Sequence, residues 1–209
     1  MQASWYFDFI SPLAYLQLHR ILELRARIDI VPVPIVFGAV LAHHGQLGPA
    51  EIAGKRAFTY RFVQWQADRA GIPLRFPPAH PFNPLAALRL CVAVGSRWDA
   101  VTRIFDHFWR EGASGGDAAE LAGVAQAIGV PDAAAAIGAD AVKATLRTNT
   151  ERALAAGVFG VPTLAAGGEL FWGQDATPMF EAWLDDPDMF RRGQHERLAN
   201  LPVGVQRRH

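Results

Sequence analysis

The aromatic run from Trp5 to Ile10 stops at Ser11-Pro12, and an amphipathic pattern starts at once. The run reads as a buried strand. Pro12 suits the first turn of a helix, where its missing N–H costs nothing. Leu13, Leu16, Leu18, Ile21, Leu22 and Leu24 then keep a helical apolar stripe to about Arg27. The segment IDIVPVPIVFG, residues 28 to 38, predicts a second strand, with Pro32 and Pro34 suiting an edge or frayed ends. Strand, helix and strand at this spacing make a βαβ unit, whose strands must run parallel.

From about Ala39 to Ala155 the pattern is helical. GKRAFTYRFVQWQADRAG has helical spacing and closes at Gly71, with Pro73 beyond. RFPPAHPFNP, residues 75 to 84, is a proline-rich loop. LAALRLCVAVG and WDAVTRIFDHFWREG follow as helices, then two alanine-rich helices near 117–128 and 139–156. VFGVPTLAAGGELFWG returns to β structure, with strands at Thr163–Ala166 and Glu169–Phe171 around a Gly167-Gly168 hairpin turn. A last helix begins near Thr177-Pro178. The expected fold class is α/β: a thioredoxin-like core (βαβ–ββα) with a large helical insertion. The expected units are residues 1–38 and 157–190 for the core, 39–156 for the insertion and 191–209 for a polar surface tail.

Composition narrows the function. Acidic and basic residues number 20 each among 209, so nothing points to nucleic acid or an anionic membrane surface. Arg191-Arg192 and Arg207-Arg208 read as solvated ends. The lone Cys91 sits in an apolar run and reads as a core residue. One cysteine excludes an internal disulfide, a Cys-x-x-Cys motif and a cysteine-rich zinc site. The seven histidines form no metal-ligand pattern, so no metal is expected. The first residues lack the pattern of a signal peptide, and no apolar run reaches the ~20 residues of a membrane span. The expectation is a cytoplasmic protein.

Ser11 stands at the seam between the first strand and the first helix. Such a serine can cap the helix. It can also face a ligand, because a helix start has free N–H groups and a partial positive charge that favour an anion. Redox proteins of the thioredoxin fold put a cysteine there. Here the motif is Ser11-Pro12-Leu13-Ala14, so disulfide exchange by the chain's own groups is excluded. The serine O–H can still donate to a thiolate that a ligand brings. The second motif is Gly160-Val161-Pro162-Thr163 before a strand. It reads either as a strand-entry turn or as a cis-proline whose preceding Val161 offers its N–H and C=O to an extended peptide.

FDFISP, GVFGVPT and FWGQD, in this order, resemble the 2-hydroxychromene-2-carboxylate isomerase family, relatives of the kappa-class glutathione transferases with a DsbA-like thioredoxin fold. The likeness runs over nearly the whole chain. It implies a bound glutathione whose sulfur rests near Ser11, whose cysteinyl backbone meets Val161 before Pro162, and whose γ-glutamyl end meets Gln174 and Asp175. Asp175 reads equally as a helix-capping acid. Lys55 lies where the family has a lysine near the glycyl carboxylate or the substrate, although a solvated helix start also suits it. Gln46 stands in place of a family asparagine, keeping the amide and adding a methylene. Phe82 and Asn83 fall in the loop that edges the family's substrate pocket, and also suit an ordinary proline-rich turn.

The resemblance implies interconversion of 2-hydroxychromene-2-carboxylate and trans-o-hydroxybenzylidenepyruvate in aromatic catabolism, with a small aromatic carboxylate as substrate. Lys55 or an arginine would meet its carboxylate. The relatives imply a homodimer. A kappa-like transferase that releases a conjugate, and a non-catalytic glutathione-binding protein, share the same motifs.

Overall fold

The computed structural model describes residues 1–205; Arg207 and Arg208 lie outside the described residues. The chain opens with β1 (Gln2–Phe7), α1 (Pro12–Leu24) and β2 (Asp29–Pro34). Then come α2 (Phe37–His43), α3 (Ala53–Ala70), α4 (Leu85–Ala93), α5 (Trp98–Phe105), α6 (Ala122–Ala127), α7 (Ala133–Gly138) and α8 (Asp140–Ala155). A hairpin of β3 (Thr163–Ala166) and β4 (Glu169–Trp172) leads to α9 (Thr177–Asp185) and α10 (Gly193–Ala199). The sheet order is β2-β1-β3-β4. β1 pairs parallel with β2 and antiparallel with β3. This is the thioredoxin-like βαβ–ββα arrangement, with a helical block between β2 and β3.

β2 is an edge strand, which is where Pro32 and Pro34 can sit without breaking a ladder on both sides. The β3–β4 turn is Gly167-Gly168, at φ +59° and +89°, the left-handed pair that a tight hairpin needs. Ala3, Trp5 and Phe7 alternate inward along β1. Trp5 and Phe7 stack at 4.6 Å and meet Phe105 of α5, so the inserted helices share the core of the sheet. On the opposite face, Tyr6, Val33 and Leu170 pack with Val40, Ala153 and Val158 from α2 and α8 and their flanks.

Several boundaries differ from the sequence reading. β1 ends at Phe7, short of Ile10, because the Asp8 carboxylate captures the N–H groups of Ile10 (3.1 Å) and Phe37 (2.9 Å) and turns the chain. The second strand stops at Pro34, and Phe37 already opens α2. The alanine-rich region holds three helices rather than two, because Asp132 caps the short α7 by accepting from the Ala135 N–H at 2.9 Å. Residues 106–110 continue α5 as a π-helical turn, and the polar C-terminal stretch contains α10.

Candidate functional site

The site is built where β1 gives way to α1. Ser11 is the N-cap of α1, at φ −91° and ψ 111°, and its Oγ accepts from the Ala14 N–H at 3.2 Å. It is 8% exposed. Pro12 has no N–H, and Ala14 is satisfied by the cap. Among the described residues the N–H of Leu13 has no partner, and neither does the Ser11 hydroxyl proton. Two donors therefore remain open at the positive end of the helix, and α1 carries no acidic residue in its first turn.

The register Tyr6↔Thr163 sets the start of β3 beside the end of β1. The Val161–Pro162 peptide, just before β3, thus lies alongside the seam that leads to Ser11. That peptide is cis. Val161 is nearly buried at 7% exposure, yet among the described residues neither its N–H nor its C=O has a hydrogen-bond partner. Gly160 has no room for a side chain, because a Cβ there would stand 2.3 Å from the Trp172 indole nitrogen.

Gln174 and Asp175 form a short 3-10 turn between β4 and α9. They line a cavity of about 330 Å³ together with Leu16 and Gln17 of α1 and Gln66 of α3. The Asp175 carboxylate is exposed and, among the described residues, has no cationic partner. Gly173 before it has φ +94°, and a Cβ would lie 2.4 Å from Asp175 Oδ1. Only glycine meets both conditions. Neither Ser11 nor Val161 lines this cavity; the link between the two regions is α1, whose Gln17 fastens the turn.

Gln46 and Lys55 come from the region of α2 and α3. Gln46 is exposed between α2 and α3, its N–H bound to the Leu41 carbonyl at 2.9 Å. Lys55 is exposed in the first turn of α3. No hydrogen bond or ion pair ties either side chain to the Ser11 region among the described residues. Asn83 Oδ1 accepts from the Leu85 N–H at 3.1 Å and so serves the start of α4. Phe82 is half-buried and stacks on Phe108 at 4.6 Å.

Three supporting residues escaped the sequence reading. Asp8 is fully buried, and burial pushes its carboxyl up to about 7 against the pull of the N–H groups of Phe37, Ile10 and Phe9. Its signal was an acid inside an aromatic strand run. Gln17 accepts from Trp5 Nε1 at 2.7 Å and donates to the Gly173 carbonyl (3.2 Å) and Thr177 Oγ1 (3.0 Å). It was a lone amide on the apolar stripe of α1. His80 donates from Nε2 to the Ile10 carbonyl at 2.8 Å, and nothing in the proline-rich loop announced that reach.

Residues 3–185 match the family model of the DSBA-like thioredoxin domain. The chain belongs to this family. A 2-hydroxychromene-2-carboxylate isomerase of Sphingobium xenophagum is 28% identical over 192 residues, covering 88% of this chain and 97% of that protein. A solved 2-hydroxychromene-2-carboxylate isomerase superposes with a TM-score of 0.78 at 26% identity, covering 95% of this chain and 99% of the other. The cytosolic disulfide reductase DsbM of Pseudomonas aeruginosa, solved with GSH, shares the fold at a TM-score of 0.60 and 16% identity, covering 95% of this chain and all of that one. No helix among the described residues is long and apolar enough to cross a membrane.

Proposed function

We propose that this protein is a glutathione-dependent isomerase, acting in the cytoplasm on 2-hydroxychromene-2-carboxylate and trans-o-hydroxybenzylidenepyruvate. One observation carries the reading. At the start of α1 the chain offers the Ser11 O–H and the Leu13 N–H to an anion, and has no thiol of its own there. The isomerases that match over most of the chain support the reaction, and GSH in the DsbM structure supports the ligand.

The chain's free groups suit the tripeptide. Val161 has an N–H and C=O without partners among the described residues, the pair that an extended peptide needs from a strand edge. Asp175, without a cationic partner among the described residues, offers its exposed carboxylate to an ammonium. Bound there, glutathione supplies a sulfur nucleophile that adds reversibly to the conjugated double bond of the ring-opened substrate, so that this bond can rotate and the thiol is recovered. The Ser11 O–H donates a hydrogen bond to the sulfur anion. A free thiol has a pKa of about 8.5, and each unit of lowering needs about 1.4 kcal/mol of preference for the anion. One hydroxyl and a helix start supply about one or two such units. Phe82, on its stack with Phe108, offers an aromatic wall to the substrate ring, and Lys55 offers a cation to the substrate carboxylate.

Calorimetric titration with glutathione, followed by the chromene assay with and without it, tests the reading. Saturable binding is expected, with isomerisation only when glutathione is present and with total thiol unchanged. Falling thiol and a conjugate product would mark a transferase. Binding without turnover would mark a binding protein, and no binding at all removes the reading.

A further inference from the structure

The peptide plane between Ile10 and Ser11 is held at both edges. Its N–H, from Ser11, donates to the Asp8 carbonyl at 3.0 Å. Its C=O, from Ile10, accepts from His80 Nε2 at 2.8 Å. A peptide unit is planar, so fixing these two atoms fixes the plane, and the plane sets where the next Cα aims its side chain. The next Cα is that of Ser11. One plane earlier, the Phe9 carbonyl accepts from Trp109 Nε1 at 2.8 Å. Both carbonyls of the seam are thus held by side chains from the inserted segment, far along the sequence.

His80 is itself fixed. Only a protonated ring nitrogen can meet a carbonyl, so Nε2 carries a hydrogen. The Tyr60 hydroxyl, from α3, lies 2.7 Å from Nδ1 and 2.7 Å from the His80 carbonyl. Burial lowers the imidazole pKa, which favours the neutral ring with Nδ1 as acceptor. The single Tyr60 O–H is shared between the His80 carbonyl and Nδ1 and braces the ring, while the Ile10 carbonyl selects the Nε2–H tautomer. Tyr60, Phe76, Phe82 and Trp109 surround the ring, with centroids 5.3, 6.2, 6.0 and 5.4 Å away.

We infer that His80 is a positioning residue for Ser11: it holds the Ile10–Ser11 peptide plane, with Tyr60 bracing its ring, and so aims the serine hydroxyl at the ligand sulfur. The inference rests on the glutathione reading given above. His80 neither touches the sulfur nor moves a proton in the reaction; it acts through the backbone.

The test compares wild type with His80→Phe, His80→Gln and Tyr60→Phe in the full chain. Two readouts separate aiming from docking. Absorbance at 240 nm reports the thiolate of bound glutathione, and titration with S-methylglutathione reports docking without a thiol. His80→Phe keeps an aromatic ring and loses the donor. It should lower the thiolate signal and reduce turnover about ten-fold or more, with S-methylglutathione affinity within about two-fold of wild type. His80→Gln keeps an N–H donor and should recover much of both, and Tyr60→Phe should fall between. A His80→Phe protein with wild-type thiolate signal and turnover overturns the inference alone. So does a His80→Phe protein in which docking and turnover fall together and glutamine restores neither, because that marks a structural latch. A wild-type protein that binds neither glutathione nor S-methylglutathione overturns the functional reading, and the inference with it.

Discussion

The Ser11 Oγ accepts the Ala14 backbone N–H at 3.2 Å, so the hydroxyl that caps α1 still has its own proton to give. Capping and ligand contact use different parts of one group, and the two readings of this serine are compatible. Substitution can separate them. Glycine is nearly as good an N-cap as serine, whereas alanine costs about 1 kcal/mol. Ser11→Gly should therefore keep the wild-type denaturation midpoint and still lose about ten-fold to a thousand-fold in isomerase turnover. Ser11→Ala should lose both. Urea melts and the chromene assay, run side by side, check this. Full activity in the glycine variant would remove Ser11 from the chemistry.

Asp175 sits exposed on a turn that glycine alone can precede, and its carboxylate meets no cation among the described residues. Its removal should leave folding within about 0.5 kcal/mol of wild type. A charge-assisted hydrogen bond to an ammonium is worth about 1.5–3 kcal/mol. Asp175→Asn should accordingly weaken glutathione about ten-fold or more, as read by calorimetry. An unchanged affinity would assign Asp175 to the turn rather than to the γ-glutamyl end.

Gln17 is 1% exposed and serves three partners: Trp5 Nε1, the Gly173 carbonyl and Thr177 Oγ1. It joins the strand before the seam to the turn that carries Gln174 and Asp175. In Gln17→Leu the buried Trp5 N–H loses its partner, and the Gly173 carbonyl keeps only the Ala176 N–H. Such a loss costs about 1–3 kcal/mol, so the variant should be less stable by about that amount, and the loosened turn should weaken glutathione several-fold. Urea denaturation and glutathione titration measure the two effects. A stable variant with unchanged affinity would mean that the turn holds its shape without the amide.

Much of this was legible in the chain because local signals are strong where the chain turns. Pro12, Gly71 and Gly167-Gly168 each need a particular backbone state, and the elements begin or end there as expected. The two prolines of β2 left an edge strand or frayed ends open, and β2 is at the edge. The placements that failed depend on distant partners. Phe9 and Ile10 have strand-like side chains, yet Asp8 bends them away by bonding to Phe37, and no periodicity encodes that contact. His80 reaches Ile10 across 70 positions, and Gln17 reaches Thr177 across 160. Pattern reading sees a polar residue in each case and cannot see what it touches. Asn83 is the local case: its amide oxygen accepts from the Leu85 N–H only two positions on.

Asp8 gives a pH dependence of stability with a definite sign. The folded carboxyl titrates near 7 because burial disfavours its charged form, against an ordinary value of 3.8. Between those values the folded protein holds a proton that the unfolded chain has released, so rising pH favours unfolding. The stabilising contribution is complete below about 3.8, shrinks as pH rises through that window, and is gone above about 7. The full gap is worth roughly 4 kcal/mol. Asparagine cannot ionise. It turns an amide toward one of the two N–H groups that Asp8 accepts, which costs a constant amount at every pH. Wild type should therefore lose up to roughly 4 kcal/mol relative to Asp8→Asn as the buffer moves from about pH 4 to about pH 8. Urea denaturation of both proteins across that range measures the difference. Parallel stability curves would mean that Asp8 titrates alike in the folded and unfolded chain, and that its burial beneath the seam exacts no electrostatic cost.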